Sequence, residues 1–331
     1  MAVRTRRRPA VSQVLPWRPA ALVLLGLLLI LSVILRLTEH RPPKLDENLH
    51  PLQELADLAH DAVSLPEGWH REKDPEIPVS EGLLVLVNNQ HPYDAETTTE
   101  LLSVYENKWG YYEVKDWVLS VRPELMDALN RWLKAGYDKN MLMNVNVVAG
   151  YRSYETQKEL YDNAVATHGA DYAAQYISLP GASEHHTGYA TDLGIVNFAE
   201  GTSEDFTGEG KQAWLAEHAW EYGLILRYPE GKQQLTGIAY ESWHYRYVGL
   251  PHAQIITERG ICLEEYIELL REYPFDGPHL CGNCRGKNYK IYYCPADELI
   301  LPNSGSYAIS GNNVDGYIVT LTGYDAYPNA G

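Results

Sequence analysis

Ten consecutive residues, Ser183-Glu184-His185-His186-Thr187-Gly188-Tyr189-Ala190-Thr191-Asp192, place two histidines and two carboxylates around a single glycine. A second short stretch, Glu241-Ser242-Trp243-His244, adds another histidine and another carboxylate. A hydrolytic zinc centre needs three protein ligands, one open coordination position for water, and a base that accepts the proton of that water. The two stretches together contain this set, and they therefore predict a hydrolytic zinc centre.

The predicted metal ligands are His185, Asp192 and His244. In one uninterrupted strand, the seven residues from His185 to Asp192 would span about 23 Å at about 3.3 Å per residue, too far to share one ion. The chain must therefore turn back between them. Gly188 is the natural place, because glycine tolerates backbone dihedrals that other residues resist. We expect His244 to arrive from a second strand.

Glu241 is the predicted general base, because it lies three residues before the ligand His244. On a strand, residues three apart point to opposite faces, so a turn or a bulge is needed to aim both side chains at one ion. Eight other histidines are interpreted as ordinary surface or core residues: His40, His50, His60, His70, His168, His186, His218 and His252.

The composition of the 331 residues predicts a folded, acidic protein. Hydrophobic residues make up 45% of the chain, with 25 Tyr and 8 Trp, so a substantial core can be buried. The formal net charge is −17, although the first 45 residues are basic, so the rest of the chain is more acidic still. Nucleic-acid binding relies on Lys and Arg to neutralise phosphates. We therefore expect no nucleic-acid partner.

The N-terminus predicts a membrane anchor. A basic cluster, Arg4 to Arg8, precedes the uncharged run Ala20–Leu35. Sixteen residues are short of the roughly 20 that a spanning helix needs, but the flanking Arg18 and Arg36 can snorkel to the interfaces. A cleaved signal peptide is the alternative, yet no small-residue cleavage site follows the run. The positive-inside rule then places the basic cluster in the cytoplasm and the remainder outside.

Four cysteines, Cys262, Cys281, Cys284 and Cys294, leave three possibilities open. The CxxC spacing of Cys281 and Cys284 is compatible with a disulfide outside the cytoplasm. It is also compatible with a structural zinc completed by other residues such as His279. Free cysteines are the third possibility.

Hydrophobic periodicity and breakers predict an α+β organisation without a regular βαβ alternation. The expected strands are 83–87, 144–148, 224–228 and 238–244, followed near the C-terminus by 289–293, 307–310 and 317–321. The expected helices are 122–135, 155–176, 212–222 and 262–272. The expected segments are a cytoplasmic N-terminus (1–18), an anchor (19–37), a stalk or linker (38–80), a catalytic domain (81–275) and a loop with a small β appendage (276–331).

These motifs resemble the VanY-type zinc D-alanyl-D-alanine carboxypeptidases over about residues 80–273. The resemblance rests on Ser183-x-His185-x-x-Gly188-x-Ala190-x-Asp192 and on Glu241-x-Trp243-His244. It is reinforced by the stretches 149–157, 226–229 and 243–249, and by Lys232 and Thr236-Gly237. Ser242 departs from the family, which usually has Pro there. The resemblance implies a Hedgehog/D,D-peptidase-like fold, in which helices flank a central antiparallel sheet.

The resemblance also implies a role for each site residue. Zn²⁺ would be bound by His185, Asp192 and His244, and Glu241 would transfer the protons. Arg152 would stabilise the carbonyl oxygen as it becomes an oxyanion, and its guanidinium stays charged at any physiological pH. Ser183 would bind the substrate terminus, with help from Gln157.

The function implied is removal of the terminal D-Ala from peptidoglycan stem peptides that end in D-Ala-D-Ala. The enzyme would be a single-pass membrane protein with a monomeric catalytic domain outside the cytoplasm, so the lipid bilayer is its second partner. The nearest alternative is an L,D-carboxypeptidase acting on tetrapeptide stems. A dipeptidase fits an anchored enzyme less well. An alternative of another class is an inactive cell-wall binding module, which would be expected to lack Glu241 or a ligand.

Overall fold

The strands of the fold carry polar residues into a largely apolar interior. A computed structural model describes residues 65–98, 100–140 and 144–323. The strands in these ranges are β1 (Trp69–Glu72), β2 (Leu102–Ser103), β3 (Glu113–Val114), β4 (Ser120–Val121), β5 (Val145–Ala149), β6 (Ala190–Asn197), β7 (Thr202–Asp205), β8 (Leu224–Leu226), β9 (His244–Tyr247), β10 (Leu280–Cys284), β11 (Lys287–Pro295), β12 (Leu299–Pro302), β13 (Ser306–Gly311) and β14 (Gly316–Thr322).

The α-helices in the same ranges are α1 (Val104–Asn107), α2 (Pro123–Asn140), α3 (Tyr154–His168), α4 (Ala170–Tyr176), α5 (Ala213–His218), α6 (Gln233–Thr236), α7 (His252–Arg259) and α8 (Leu263–Leu270). Four short 3-10 helices accompany them: Ala95–Thr97, Glu184–Thr187, Gly210–Gln212 and Ala219–Tyr222. Helices and strands do not alternate regularly, so the predicted α+β class is confirmed.

A central sheet orders its strands β3-β5-β6-β9-β8, and β7 pairs with β6. All of its pairs are antiparallel except β3 with β5, which is parallel. Helix α2 packs Leu125, Leu129 and Trp132 into the core beside this sheet. The central antiparallel sheet predicted from the sequence is therefore present, with one parallel pair at its edge.

Two glycines change the predicted helix boundaries. The helix predicted to end at Gly136 continues to Asn140 as α2. A Cβ on Gly136 would lie 2.4 Å from Cδ2 of Leu215, so this glycine permits close contact between helices. Gly169, with φ of +92°, instead divides the helix predicted over 155–176 into α3 and α4.

The strand predicted over 83–87 is wrong, although Leu84 and Val87 are fully buried as expected for such a run. No sheet partner takes up its backbone groups. Instead, Nη2 of Arg246 donates to the carbonyls of Leu83 and Val85, both at 3.0 Å. The amide of Leu84 donates to Oγ of Ser310 at 2.8 Å. Buried backbone groups must find partners, and here side chains supply several of them.

The predicted helices over 212–222 and 262–272 are confirmed with shifted ends, as α5 with the following 3-10 turn and as α8. The predicted strands 144–148 and 224–228 correspond to β5 and β8. The prediction of 238–244 as a strand is wrong before residue 244, since β9 begins at His244. Helix α7 was not predicted.

The C-terminal region forms a sheet in the order β10-β11-β14-β13, so the three predicted strands understated its extent. Ile291 and Ile318 of this sheet share an apolar cluster with Ile256 and Leu263. The appendage is therefore packed on the rest of the domain. Strand β1 pairs with β12, so the linker expected over residues 38–80 does not hold for residues 69–72.

The predicted segments 1–18 and 19–37 lie outside the described residues, as do residues 38–64 of the expected linker. Within the ranges that the structure does describe, no helix is both long enough and apolar enough to cross a bilayer. All four cysteines fall in those ranges, and all four are free thiols, of which only Cys281 is exposed.

His252 joins the C-terminal sheet to helices α7 and α8. Its Nδ1 lies 2.8 Å from the Tyr266 hydroxyl and its Nε2 lies 3.1 Å from Oγ1 of Thr320. Burial lowers the pKa of His252 from 6.5 to about 3. The folded protein thus keeps this imidazole neutral at pH values where the unfolded chain protonates it.

We expect this neutral histidine to make the fold acid-sensitive. Because the folded pKa lies below the unfolded value, stability is fully present above about pH 6.5 and is lost as pH falls toward 3. Between pH 7 and pH 5 the His252 contribution is about 2 kcal/mol. Urea unfolding of the chelator-treated protein at both pH values checks this. From pH 7 to pH 5, the free energy of unfolding of His252→Gln should fall by about 2 kcal/mol less than that of the wild type. An equal loss in both proteins would contradict this account.

Candidate metal centre

The chain turns back at Gly188, as the spacing of the ligands predicted. The 3-10 helix Glu184–Thr187 ends there, and Gly188 adopts a left-handed conformation with φ of +71°. Two contacts fasten the turn: Oγ1 of Thr98 donates to the His186 carbonyl at 2.8 Å, and the Arg122 amide donates to the Gly188 carbonyl at 3.0 Å. This turn brings His185 back over the beginning of β6.

The register of the central sheet places the other two ligands together. Strands β6 and β9 are antiparallel, and Asp192 lies directly opposite His244. Directly opposed residues have Cβ atoms about 4.5–5.5 Å apart. Oδ1 of Asp192 accordingly lies 2.9 Å from Nδ1 of His244, while its Oδ2 lies 3.3 Å from Nε2 of His185.

The orientation of His185 is fixed from behind. Its Nδ1 lies 2.6 Å from the Gly150 carbonyl. A carbonyl only accepts hydrogen bonds, so Nδ1 carries the proton and Nε2 presents a lone pair. Metal-binding histidines are commonly held in this way by a backbone carbonyl. The rings of His185 and His244 are perpendicular, with centroids 4.9 Å apart.

These three residues fit a metal ion. One donor atom from each of His185, Asp192 and His244 lies within 4.8 Å of the others, and no other such group of three occurs among the described residues. Although Oδ1 of Asp192 lies 2.9 Å from Nδ1 of His244, it is buried without a hydrogen bond of normal geometry, which is rare for a carboxylate oxygen. Two imidazoles and one carboxylate form a ligand set that Zn²⁺ accepts.

The electrostatics of the pocket also favour a cation. Burial lowers the pKa of His244, but the neighbouring carboxylates of Asp192 and Glu184 outweigh it and raise that pKa to about 9. Burial and the charge of Arg152 together lower the pKa of His185 to about 4. The carboxylates therefore stabilise positive charge at this position. A bound divalent cation would supply that charge, and His244 would then not need to be protonated.

Glu241 lies in the turn that precedes β9, which resolves the problem of opposite strand faces. Its amide donates to the Tyr228 carbonyl at 3.2 Å, and its carbonyl accepts from the His244 amide at 3.3 Å. Oε2 of Glu241 lies 3.8 Å from Nδ1 of His244. Burial raises the pKa of Glu241 to about 7, which is close to the value that suits a proton-transferring base at neutral pH.

Arg152 reaches the same carboxylate that faces the histidines. Its Nη2 donates to Oδ2 of Asp192 at 2.9 Å, and its Nη1 donates to Oε1 of Gln157 at 3.4 Å. The side-chain amide nitrogen Nε2 of Gln157 donates in turn to the Ser178 carbonyl at 2.8 Å. His186, which is not a ligand, holds the Arg152 carbonyl through its Nδ1 at 2.7 Å. The guanidinium is thus fixed beside the candidate metal position.

Ser183 lies immediately before the 3-10 helix, is buried, and makes no capping hydrogen bond through its side chain. A shallow recess lies beside the preceding residue, Ala182. The lining residues are Asn88, Asn89, Ser178, Ala182, Tyr228, Thr236 and Ile238. The Tyr228 ring also contacts the His244 ring, with centroids 4.8 Å apart. The recess therefore adjoins the candidate metal position.

Three buried charged residues behind the site were not predicted from the sequence: Glu184, Arg227 and Arg246. The carboxylate of Glu184 accepts from Nε of Arg227 at 2.7 Å and from Nη1 of Arg246 at 2.8 Å. Burial alone would raise the pKa of Glu184, but the two guanidinium groups hold it well below its usual range. The sequence signal that could have revealed them is a single charged residue, Arg227 or Arg246, within or directly after an otherwise largely apolar strand segment.

This fold, together with its candidate metal site, defines a hydrolase. The chain belongs to the VanY D-alanyl-D-alanine carboxypeptidase family, whose model matches residues 118–250. A D-alanyl-D-alanine carboxypeptidase of Enterococcus faecium is 36% identical over 253 residues, covering 74% of this chain and 77% of the relative. The bifunctional D-Ala-D-Ala dipeptidase and D-Ala-D-Ala carboxypeptidase VanXYC of Enterococcus gallinarum is 34% identical over 194 residues, covering 57% of this chain and 95% of the relative.

A solved structure supports the same fold. The vancomycin-resistance D,D-dipeptidase VanXYg, crystallised with a D-Ala-D-Ala phosphinate analogue, superposes with a TM-score of 0.67 at 30% identity. The similarity covers 77% of this chain and 99% of that one. The predicted Hedgehog/D,D-peptidase-like architecture is confirmed.

Gly188→Ala should impair metal binding. A Cβ there would lie 2.9 Å from Cγ of Arg122 and 3.0 Å from Cδ2 of Leu101. The left-handed conformation alone costs about 1–2 kcal/mol, and crowding of the core adds about 1–3 kcal/mol. Zinc titration and urea unfolding should show lower affinity and a loss of stability beyond the conformational part.

Gly260→Ala is the matched control, since Gly260 has φ of +62° and open space around the added Cβ. Its free energy of unfolding should fall only by the cost of the left-handed conformation, about 1–2 kcal/mol, and its zinc affinity should be unchanged. If Gly188→Ala behaves like Gly260→Ala, the turn does not position His185.

Proposed function

We propose that this protein is a zinc-dependent carboxypeptidase that removes the terminal D-Ala from peptidoglycan stem peptides ending in D-Ala-D-Ala. One observation carries the proposal: two imidazoles and one carboxylate converge within 4.8 Å, with the buried carboxylate of Glu241 beside them. Membership of the D-alanyl-D-alanine carboxypeptidase family supports the substrate class.

The residues that would hold the ion are His185 through Nε2, Asp192 through its carboxylate, and His244 through Nδ1. This assignment follows from which atoms face one another at 2.9 and 3.3 Å. When bound, Zn²⁺ would supply Lewis acidity toward the scissile carbonyl and toward water.

Glu241 would act as the general base and then as the general acid. As ionised carboxylate it takes a proton from the water whose oxygen attacks the carbonyl carbon of the penultimate residue. It then gives that proton to the nitrogen of the departing D-Ala as the C–N bond breaks. A pKa of about 7 suits both directions, because the group is ionised and protonated to similar extents near neutrality.

Arg152 would stabilise the negative charge that develops on the carbonyl oxygen. Its guanidinium is fixed by Asp192 and Gln157, while its side chain remains 20% exposed toward an approaching substrate. A permanent charge that is already oriented needs no reorganisation during the reaction. Ser183 would bind the substrate terminus, and Gln157 would assist it indirectly. Because both ends of the Gln157 amide already have partners, its contribution would act through Arg152.

The substrate implies a catalytic domain outside the cytoplasm. We propose that the apolar run 20–35 within residues 19–37 anchors the chain in the membrane and that the basic cluster stays inside. Detergent-dependent release of the native protein from membranes is the expected result. A soluble native protein whose N-terminus lies near residue 38 would contradict the anchor.

Glu241→Gln should strongly lower turnover while leaving the metal in place. Removal of a general base typically costs about 10²- to 10⁴-fold in rate, and the amide is close in size to the carboxylate. D-Ala release from a synthetic stem pentapeptide, measured beside zinc content, checks both statements. Glu230→Gln, a change at an exposed glutamate nearby, is the control and should retain full activity.

The same assay separates the alternatives. The proposal expects D-Ala from the pentapeptide stem and little from the tetrapeptide stem. Release from the tetrapeptide alone would establish the L,D-carboxypeptidase instead. A zinc-loaded wild-type protein that releases nothing from either stem would revive the inactive binding module.

A further inference from the structure

Glu184 contacts the proposed ligand His244 from the side opposite to Asp192. Its side chain is completely buried, and its Oε2 lies 3.7 Å from Nε2 of His244. Neither of these two atoms has a hydrogen-bond partner. Buried polar atoms are nearly always paired, so two unpaired atoms that face each other point to a contact with a function.

The other oxygen of Glu184 is immobilised from two strands. Oε1 accepts from Nε of Arg227, which follows β8, and from Nη1 of Arg246 in β9. Both donors are themselves fully buried. Two charge-assisted hydrogen bonds to one oxygen keep the carboxylate ionised and prevent its rotation. Oε2 is therefore presented to His244 in one orientation.

The two arginines are held in turn by groups outside the site. Both guanidinium nitrogens Nη1 and Nη2 of Arg227 donate to Glu264, at 2.9 and 2.7 Å. Asn88 donates to the same carboxylate at 3.2 Å. Arg246 is fastened to the carbonyls of Leu83 and Val85. A chain of buried contacts thus runs from α8 and the segment 83–88 to Glu184.

We propose that Glu184 is a positioning residue that selects the tautomer of His244. A carboxylate only accepts hydrogen bonds, so Asp192 and Glu184 each favour a proton on the ring nitrogen that they face. With Nδ1 given to the metal, the proton belongs on Nε2, and Glu184 is the acceptor that holds it there. A shift of about 1 Å would bring the two atoms within hydrogen-bond distance. This inference rests on the proposed metal centre and names the group that orients one of its ligands.

Glutamine cannot replace Glu184 in both of its contacts. If its oxygen faces the arginines, its amino group meets the Nε2–H of His244, donor against donor. If its oxygen faces His244, its amino group meets the two guanidinium groups. Partners that orient metal ligands typically contribute about 10- to 100-fold in metal affinity. We therefore expect Glu184→Gln to weaken zinc binding by about 10- to 100-fold.

The experiment compares Glu184→Gln with Glu298→Gln in the full chain, by competition for Zn²⁺ with a chromophoric chelator. Glu298 is also a largely buried glutamate paired with an arginine, Arg71 at 3.0 Å, but it has no part in the chain of contacts that holds Glu184. We expect Glu298→Gln to keep its zinc affinity within about threefold, whatever happens to the stability of the metal-free protein. Equal zinc affinity of Glu184→Gln and the wild type, or an equal loss in both variants, would overturn the proposal.

A second measurement needs no variant. Long-range proton–nitrogen NMR spectra of the zinc-loaded wild type, labelled with ¹⁵N-histidine, report which nitrogen of each ring carries the proton. Protonated Nε2 on His244 is expected, and protonated Nδ1 would overturn the proposal. Tight zinc binding with the expected tautomer but no D-Ala release would defeat the proposed function and leave this inference standing.

Discussion

The site depends on the pairing of two antiparallel strands in one register. Strand β6 brings Asp192 opposite His244 of β9, and the turn at Gly188 returns His185 to the same point. A slip by one residue would send Asp192 to the other face of the sheet. Leu125, Leu129 and Trp132 of α2, which pack on Leu193 and Tyr245, hold that register from the apolar side. The core thus fixes the geometry of the polar centre.

Charge buried around this centre is unusually concentrated, and each charge has a partner. Asp192 is shared by Arg152 and two histidines, while Glu184 is shared by Arg227 and Arg246. Unpaired buried charge is strongly destabilising, so these residues form one interdependent set. The C-terminal sheet belongs to this arrangement, because Ser310 contacts the segment 83–87 whose carbonyls hold Arg246.

The convergence of the candidate site residues could be predicted from the sequence, because ligand spacing and glycine position are local signals. His185, Asp192, His244 and Glu241 converge as expected. Local patterns failed where tertiary contacts decide the outcome. Gly136 reads as a helix stop but serves helix packing, and the run 83–87 reads as a strand but makes most of its hydrogen bonds to side chains. Glu184 could not be predicted, because its partners are distant in the sequence.

We propose that one metal ion binds where the turn at Gly188 and the β6–β9 pair meet. The most direct measurement is an anomalous-difference map from a crystal of the zinc-loaded protein, collected on both sides of the zinc absorption edge. The account predicts one strong peak bounded by Nε2 of His185, the Asp192 carboxylate and Nδ1 of His244. A peak at any other position, or coordination through Nε2 of His244, would contradict it.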